Sequence, residues 1–219
     1  MPEIIKINDT NKYDVIKEIA KKIIEGKIIA IPTDTCYGLA VDATSIRSVK
    51  RLFYVKKRPI SKPVSIFLSG KEEIGKYAVL EGISRKVINL FPDRITIIFK
   101  AARSNVVEDY IIKNNTIGIR VPLADIPRLI CKFAGRPITA TSANVRGEPP
   151  IYNSTELYAW DDIDYILDYG MLKKVDVSTV IDISEDKIKI LREGAISISE
   201  LELKLKKISL DNFEIVVSK

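Results

Sequence analysis

The chain has 219 residues, of which 46% are hydrophobic and 29% are charged, and it carries a formal net charge of +6 with no histidine. This composition is typical of a folded globular protein and excludes an intrinsically disordered one. The absence of histidine excludes the Ser-His-Asp triad, the Cys-His pair and histidine-ligated zinc, and Cys36 and Cys131 alone cannot form a thiolate zinc site.

Helices and strands alternate in the first half of the sequence. Apolar residues at helical spacing predict a helix over residues 12–25, with Asn11 as its candidate cap and Gly26 as its end. Short apolar runs predict strands at residues 27–32, 37–43 and 64–68. Helical spacing predicts further helices at residues 45–54, 71–79 and 83–91.

The second half continues the alternation. Strands are predicted at residues 95–100, 116–121 and 137–141, and a helix at residues 125–134. Residues 154–170 show no clear period. A paired strand unit follows at residues 178–183 and 188–191, then a helix at 198–206 and a last strand at 213–217. Some strand pairs have connections too short for a helical crossover, so we predict an α/β fold of the mixed type, with parallel and antiparallel strands in one sheet.

Cysteine content and hydropathy indicate where the protein works. The two cysteines lie far apart, which argues against a disulfide framework and predicts a reducing compartment. No apolar run approaches the roughly 18 residues of a membrane span, and the N-terminus lacks the apolar segment of a signal peptide. We therefore expect a cytoplasmic protein with no membrane partner. Its positive charge favours nucleotides or nucleic acid as partners, although a generally basic surface would carry the same charge.

Four predicted strands end in polar clusters, and such strand ends collect binding sites in open α/β sheets. A single cluster of this kind is usually an ordinary polar turn, but four together favour a shared pocket. The four segments read IIAIPTDTCYG, TIGIRVP, PITATSANVRG, and STVID with ILREG.

A basic stretch, VKKRPISKP, follows the second predicted helix. Cations are favourable at the C-terminal end of any helix, but Arg58 and Lys62 are also suited to phosphate oxygens. Pro59 and Pro63 would stiffen the loop, which a merely solvated surface does not need, so we favour a phosphate clamp. The sequence contains neither G-x-x-x-x-G-K-[ST] nor G-x-G-x-x-G, so a nucleotide must be held by other means. The turn TSAN at residues 141–144 is a candidate anion nest or a simple cap.

Taken together and in order, these blocks resemble the YrdC-like family, whose well-characterised members are threonylcarbamoyl-AMP synthases. The resemblance spans roughly residues 12–200 and rests on IPTDTCYGLA, KKRPISKP, TIGIRVP, ATSAN followed by GEPP, and STVID with LREGAI. The resemblance implies a three-layer domain at residues 1–205, around a twisted mixed sheet with a basic concave cavity. Residues 206–219 would form a short C-terminal tail or edge strand of the same domain.

The resemblance also implies an activity. Family members are nucleotidyltransferases that condense L-threonine, bicarbonate or CO2, and ATP to threonylcarbamoyl-AMP and pyrophosphate, for tRNA threonylcarbamoyladenosine modification. The chemistry needs positioning and charge neutralisation, and no protein nucleophile, so a chain without histidine can perform it. A separate tRNA threonylcarbamoyltransferase complex would use the product downstream, and tRNA or double-stranded RNA is a further expected partner.

The family motifs assign roles to individual residues. Lys56 and Arg58 would be catalytic, and Mg2+ would enter with ATP, with no metal held by the protein alone. The expected ATP contacts are Arg58, Lys62, Thr116, Asn144, Tyr152 and Arg192. The expected L-threonine contacts are Thr35, Phe67, Arg120, Ser142 and Ser178.

Three departures from the family pattern bear on amino-acid specificity. Phe67 stands where family synthases often carry histidine, Asp93 and Arg94 replace a Gly-Pro pair, and Ala124 replaces a histidine that follows the TIGIRVP block. Two other hypotheses therefore stay open. One is a YrdC-like paralogue that binds RNA or nucleotide without synthase activity, with affinity that falls steeply with salt. The other is a carbamoyl-adenylating activity like that of the YrdC-like domain in hydrogenase maturation proteins.

Overall fold

Twelve strands form one mixed sheet in the computed structural model, which describes residues 1–104, 106, 110–145, 147–185, 187–210 and 215–217. The strands are β1 Glu3–Lys6, β2 Ile29–Ile31, β3 Gly38–Ala40, β4 Ser65–Phe67, β5 Ile95–Lys100, β6 Ile112–Lys113, β7 Thr116–Arg120, β8 Ile138–Ser142, β9 Tyr165–Asp168, β10 Thr179–Asp182, β11 Ile188–Arg192 and β12 Ile215–Val217. The helices are α1 Lys12–Ile24, α2 Ile46–Val55, α3 Ser84–Val87, α4 Asp125–Ala134 and α5 Ile198–Lys207. Short 3-10 helices cover Lys71–Lys76, Ile88–Leu90 and Ser154–Leu157.

The strand order confirms the predicted mixed α/β fold. Eleven strands run β1-β9-β2-β3-β8-β4-β7-β5-β10-β11-β12, and β6 pairs with β7 beside this path. Parallel pairs such as β4 with β7 alternate with antiparallel pairs such as β8 with β4 and β5 with β7. Strands distant in sequence thus become neighbours at the centre of the sheet.

The two faces of the sheet are covered differently. One face packs against a large core that includes residues of α2 and α5. The other face packs against α1 and α4 along one part of the sheet, where Ile29, Ile31 and Ile138 meet Ile19 and Ile130. Beyond α4, this second face carries both polar and apolar residues, such as Ser65 on β4, Arg120 on β7, Thr96 on β5 and Val180 on β10. The uncovered part of the second face forms the floor of a cavity.

Most predicted elements are present, but three predictions were wrong: the Asn11 cap and the regular helices at 71–79 and 83–91. Asn11 precedes α1 without capping it, because its side chain accepts a hydrogen bond from Asn8 at 2.8 Å. Gly26 ends the helix region with φ of +88°, as expected for a left-handed glycine. The helices predicted at 71–79 and 83–91 are short 3-10 and α-helical turns, since Gly75 and Pro92 limit regular helix at these points.

Several strands were missed because they are short or sit at an edge of the sheet. The hairpin of β6 and β7 turns through Asn114 and Asn115, whose φ values are 50° and 58°, typical of a tight hairpin turn. β1 and β9 pair in parallel at one edge. At the other edge β12 pairs with β11, while residues 213–214 of the predicted last strand lie outside the described residues.

Within the described ranges, no helix is long and apolar enough to cross a membrane.

Candidate functional site

A cavity of about 280 Å³ lies on the uncovered part of the sheet. Strand ends from across the sheet line it, together with the loop before β4 and the turn before β3. Among the described residues that line it there are three arginines and no acidic side chain. The lining residues are Thr33, Thr35, Cys36, Gly38, Arg58, Pro63, Val64, Ser65, Phe67, Thr96, Ile98, Arg120, Ala140, Thr141, Ser142, Val177, Ser178, Val180 and Arg192.

Strand register divides this cavity into two ends. Phe67 on β4 lies opposite Arg120 on β7, and Thr96 on β5 is next to it, so these three define what we call the Arg120 end. Ser65 lies opposite Ala140, which places Ser142 further along β8 beside Pro63 and the loop of Arg58. We call this region the Arg58 end. A ligand that fills the cavity would therefore meet two different groups of side chains.

Arg120 is buried at its own end of the cavity and forms an ion pair with Asp34. The Arg120 Nη2 lies 2.7 Å from Asp34 Oδ1 and 3.3 Å from Thr35 Oγ1. The two charged side chains are 8% and 4% exposed. Burial lowers the pKa of the Arg120 guanidinium, the nearby Asp34 carboxylate opposes this, and the guanidinium stays charged. Arg120 Nε has no hydrogen-bond partner among the described residues.

The turn that holds Asp34 is tied by hydroxyl groups. Thr33 Oγ1 donates to the Cys36 carbonyl at 2.7 Å and accepts from the Thr35 N–H at 3.1 Å. Burial raises the pKa of the Cys36 thiol, so the thiol stays protonated. The hydroxyls of Thr33 and Thr35 thus help to build the turn, and Thr35 also lines the cavity.

Ser178 and Arg192 form a second cluster at the Arg120 end. The Ser178 hydroxyl lies 2.9 Å from the Thr96 hydroxyl. Arg192 donates from Nε and Nη2 to the Ser178 carbonyl at 3.0 and 2.7 Å. Because these partners are neutral oxygens, the Arg192 charge remains available to an anion in the cavity.

Phe67 and Arg120 stack across this end of the cavity. The Arg120 Cζ lies 5.5 Å from the centroid of the Phe67 ring, within cation–π range. Phe67 is 2% exposed and also packs with the core beneath α4. The ring therefore gives this end an apolar wall beside a charged group.

At the Arg58 end, Lys56 is buried behind the cavity wall. Its Nζ donates to the carbonyl oxygens of Ser142 and Asn144, and the side chain is nearly inaccessible to solvent. Burial and the nearby Arg58 charge lower its pKa to about 8. The Ser142 hydroxyl donates to the Asn144 side-chain oxygen, and Asn144 Nδ2 donates to the Glu148 carbonyl at 2.6 Å. Lys56 therefore holds the end of β8 in place.

Arg58 reaches the cavity from a loop that it also stabilises. Its Nε donates to the Lys62 carbonyl at 2.6 Å, and its Nη2 donates to the Pro63 carbonyl at 2.7 Å. These bonds fix the guanidinium over the entrance to β4. The preceding Lys57 has φ of 49°, which turns the chain sharply after α2.

The structure brings together seven of the residues predicted from sequence at the cavity surface. These are Thr35, Arg58, Phe67, Arg120, Ser142, Ser178 and Arg192. Lys56 and Asn144 lie directly behind Ser142. Ser142 itself is at the Arg58 end, apart from the other predicted threonine contacts.

Four predicted ATP contacts do not line this cavity: Asn144, which lies behind Ser142, and three residues further away. Lys62 is exposed, with its carbonyl bound to Arg58. Thr116 is at the far end of β7 from Arg120, about 13 Å along the strand, and its hydroxyl donates to the Lys113 carbonyl at 2.8 Å. The Tyr152 hydroxyl donates to the Val175 carbonyl at 2.9 Å. Their assignment to ATP stays a prediction.

Sequence reasoning missed Asp34, Thr96 and Arg94. Asp34 lies in the IPTDTCYGLA block, where a lone carboxylate among hydroxyls, in a chain with several candidate cavity arginines, is a signal for an ion pair. Arg94 departs from the family pattern, and its Nε donates to the Asp34 carbonyl at 2.9 Å. Thr96 follows it on β5. In the described part of the chain, no three His, Cys, Asp or Glu side chains cluster as metal ligands.

Fold and site define the class of protein, a mixed α/β domain with a cavity lined by arginines and hydroxyls on one sheet face. The Sua5/YciO/YrdC family model, which bears the description Telomere recombination, matches residues 21–194, and the chain belongs to this family. The predicted family is thereby confirmed.

Two similar proteins both carry the name threonylcarbamoyl-AMP synthase. A Methanocaldococcus jannaschii protein, provisionally named threonylcarbamoyl-AMP synthase, is 35% identical over 202 residues, which are 91% of this chain and 95% of the relative. The threonylcarbamoyl-AMP synthase of Pyrococcus abyssi is 30% identical over 207 residues, which are 92% of this chain. This chain spans 60% of the length of the P. abyssi protein.

A solved structure is similar over almost the whole chain. P. abyssi Sua5 complexed with L-threonine superposes with a TM-score of 0.85 at 26% identity. The superposition covers 98% of this chain and 62% of the Sua5 chain. The fold described above is therefore that of a known family structure.

Proposed function

We propose that this chain is an L-threonylcarbamoyl-AMP synthase, a nucleotidyltransferase that uses L-threonine, bicarbonate or CO2, and ATP. The observation that carries the proposal is the two-ended cavity. A buried arginine, hydroxyls and an aromatic wall at one end suit an amino acid, and Arg58 at the other end suits phosphate. The names of the relatives and the complex of P. abyssi Sua5 with L-threonine support the same reading.

The Arg120 end suits the amino acid for three physical reasons. The Arg120 guanidinium can donate to a carboxylate, and the hydroxyls of Thr35 and Ser178 can bond the polar groups of threonine. The Phe67 ring offers an apolar surface to the threonine methyl group. We assign L-threonine to this end.

At the Arg58 end we assign the nucleotide phosphates. The neutral threonine amine attacks CO2 and loses a proton to solvent to form a carbamate, whose oxygen attacks the α-phosphorus of ATP in line. The bond to the bridging oxygen breaks, and pyrophosphate leaves with its electron pair. Arg58 neutralises developing charge on the phosphates, and Lys56 keeps the Ser142–Asn144 turn in position. Mg2+ bound to ATP would supply further charge neutralisation at the phosphates.

The product is a mixed anhydride, which a second enzyme must consume. We propose that a tRNA threonylcarbamoyltransferase complex takes it, and that tRNA or double-stranded RNA is a further partner. The net charge of +6 supports a polyanionic partner.

Pyrophosphate release from ATP tests the activity. Purified protein is assayed with ATP, Mg2+ and bicarbonate, with and without L-threonine, and the product mass is measured. Release that depends on threonine and bicarbonate, with the mass of threonylcarbamoyl-AMP, is the expected result. Binding of ATP without any such release would contradict the synthase and leave the nucleotide-binding paralogue.

A further inference from the structure

We propose that Arg94 is a positioning residue for the Arg120 end of the cavity, because its side chain holds the turn at residues 33–36 in the arrangement that binds L-threonine. The inference rests on the proposed function, which assigns L-threonine to this end. Arg94 does not line the cavity, so it acts through the turn and not by contact with the substrate. The family pattern has Gly-Pro where this chain has Asp93 and Arg94, and neither glycine nor proline carries a side-chain donor.

The peptide unit between Asp34 and Thr35 is bonded on both sides. Its carbonyl oxygen accepts from Arg94 Nε at 2.9 Å, and its N–H donates to Thr33 Oγ1 at 3.1 Å. A peptide group whose carbonyl and N–H both have partners cannot rotate without breaking a hydrogen bond. Arg94 therefore supplies one of the two bonds that fix the plane of this peptide.

Rotation of this peptide would move both residues of the turn that meet Arg120. Asp34 Oδ1 lies 2.7 Å from Arg120 Nη2, and Thr35 Oγ1 lies 3.3 Å from the same nitrogen. The rotation changes ψ of Asp34 and φ of Thr35, so both side chains shift relative to the guanidinium. A turn that samples several arrangements binds its ligand in only one of them, and the apparent affinity falls by the fraction of time spent there.

The backbone of Arg94 is itself anchored at three points. Asp93 Oδ1 accepts from the Arg94 N–H at 2.8 Å, while Asp93 Oδ2 accepts from Lys204 Nζ on α5 at 2.8 Å. The Asp93 N–H donates to the Val121 carbonyl, and the Arg94 carbonyl accepts from the Thr179 N–H, both at 3.1 Å. A side chain that rises from a fixed backbone holds its partner more precisely than one on a loose loop.

Two substitutions separate the hydrogen bond of Arg94 from its charge. Arg94→Met keeps an unbranched side chain and deletes the donor, whereas Arg94→Gln places an N–H donor on the atom that corresponds to Nε and removes the charge. We expect the Kd for L-threonine to rise roughly tenfold in Arg94→Met and to stay within about twofold of wild type in Arg94→Gln. If Arg94→Met does not fold, Arg94→Ala makes the same deletion and is held to the same expectation.

Arg85→Met is the matched control. Arg85 Nε also donates to a backbone carbonyl, that of Leu80 at 2.8 Å, but Arg85 is exposed and does not line the cavity. This substitution therefore deletes the same kind of contact elsewhere in the chain. It should leave the affinity for L-threonine unchanged.

The first arm measures binding and turnover. L-threonine is titrated into each full-length protein by calorimetry, and pyrophosphate release is then measured over a range of threonine and ATP concentrations. In Arg94→Met the KM for threonine should rise while the KM for ATP does not, a split that general destabilisation would not produce. Equal threonine affinity in wild type and Arg94→Met, or an equal loss in Arg94→Gln and Arg94→Met, would overturn the inference. If wild type neither binds threonine nor releases pyrophosphate, the proposed function is contradicted instead.

The second arm needs neither ligand nor activity. Cys36 follows the bonded peptide in the same turn, is 4% exposed, and donates from its N–H to Thr33 Oγ1 at 3.3 Å. Because alkylation of this thiol requires local opening of the turn, N-ethylmaleimide should label Cys36 roughly tenfold faster in Arg94→Met than in wild type or Arg94→Gln. Cys131 within α4 is 3% exposed and is the internal reference, whose rate should not change. Peptide mass spectrometry measures both rates, and an unchanged Cys36 rate in Arg94→Met would overturn the inference whatever the activity of wild type.

Discussion

The Lys56 ammonium group lies 2.7 Å from the carbonyl oxygen of Asn144 and also donates to the carbonyl oxygen of Ser142. This contact joins the C-terminal end of α2 to the end of β8, 86 residues further along the chain. Two segments that the sequence places in separate motifs are thus held as one wall of the cavity. The link runs through a buried amine, so its strength depends on protonation.

Stability should depend on pH through Lys56. Its pKa is about 8 in the folded protein, against 10.5 for an ordinary lysine. Between these values the unfolded chain binds more protons than the folded one, so the free energy of unfolding rises with pH. The free energy of unfolding of the wild type, measured relative to that of Lys56→Met, should therefore rise by about 3 kcal/mol between pH 8 and 10.5.

Urea unfolding of both proteins at several pH values measures this gain. Other lysines and tyrosines titrate in the same range, but they cancel in the difference between the two proteins. If the difference in the free energy of unfolding between wild type and Lys56→Met stays constant from pH 7 to 10.5, Lys56 keeps an ordinary pKa.

Arg58→Ala should lower kcat/KM for ATP by about two orders of magnitude, as for the loss of one fixed charge at the transferring phosphate. The fold should persist, since Arg58 lies on a loop at the cavity rim. Arg47→Ala is the matched control, because Arg47 is an exposed arginine on α2 that does not line the cavity. Steady-state pyrophosphate release measures both variants. Wild-type rates for Arg58→Ala would remove it from the phosphate site.

Phe67→His should change amino-acid preference. The imidazole would place a hydrogen-bonding nitrogen beside Arg120, whose Nε lacks a partner among the described residues. We expect altered ratios of kcat/KM for threonine, serine and valine, because the apolar wall becomes polar. Phe67→Leu keeps the wall apolar and serves as the control. If Phe67→His shows the same ratios as wild type, Phe67 does not contact the amino acid.

Gly194→Ala should destabilise the protein and loosen the Arg192–Ser178 cluster. A Cβ at this position would lie 2.1 Å from the Val177 carbonyl oxygen, so the backbone must move. We expect a loss of about 2 kcal/mol in the free energy of unfolding. At Gly75 the nearest contact of a Cβ would be an ordinary 3.5 Å, which makes Gly75→Ala the control. Denaturant midpoints compare the two, and equal midpoints would contradict the predicted clash.

Local patterns predicted the long elements well. The strands at 95–100 and 116–121, the helix at 125–134 and the paired strands at 178–183 and 188–191 were confirmed, because their apolar runs are bounded by clear turn residues. β1 and β9 were missed, because each needs the other as a partner and neither shows a strong period. Pairing between distant strands is not encoded in a local window.

The cavity was predicted from its strand ends, but its division into two ends was not. Register decides that Ser142 sits with Arg58 and that Phe67 sits with Arg120, and register follows from pairings across the whole sheet. Asp34 was missed for a related reason. Its partner Arg120 is 86 residues away, so only the folded structure shows that its charge is used.

The position of β8 between β3 and β4 has a consequence for how the protein folds. Both neighbours of β8 precede it by more than 70 residues, and β2 can pair with β9 only after β9 has been synthesised. During synthesis the first strands therefore leave the ribosome with unpaired edges. Such high contact order predicts slow folding and exposes these edges to wrong pairing until residues 138–142 arrive.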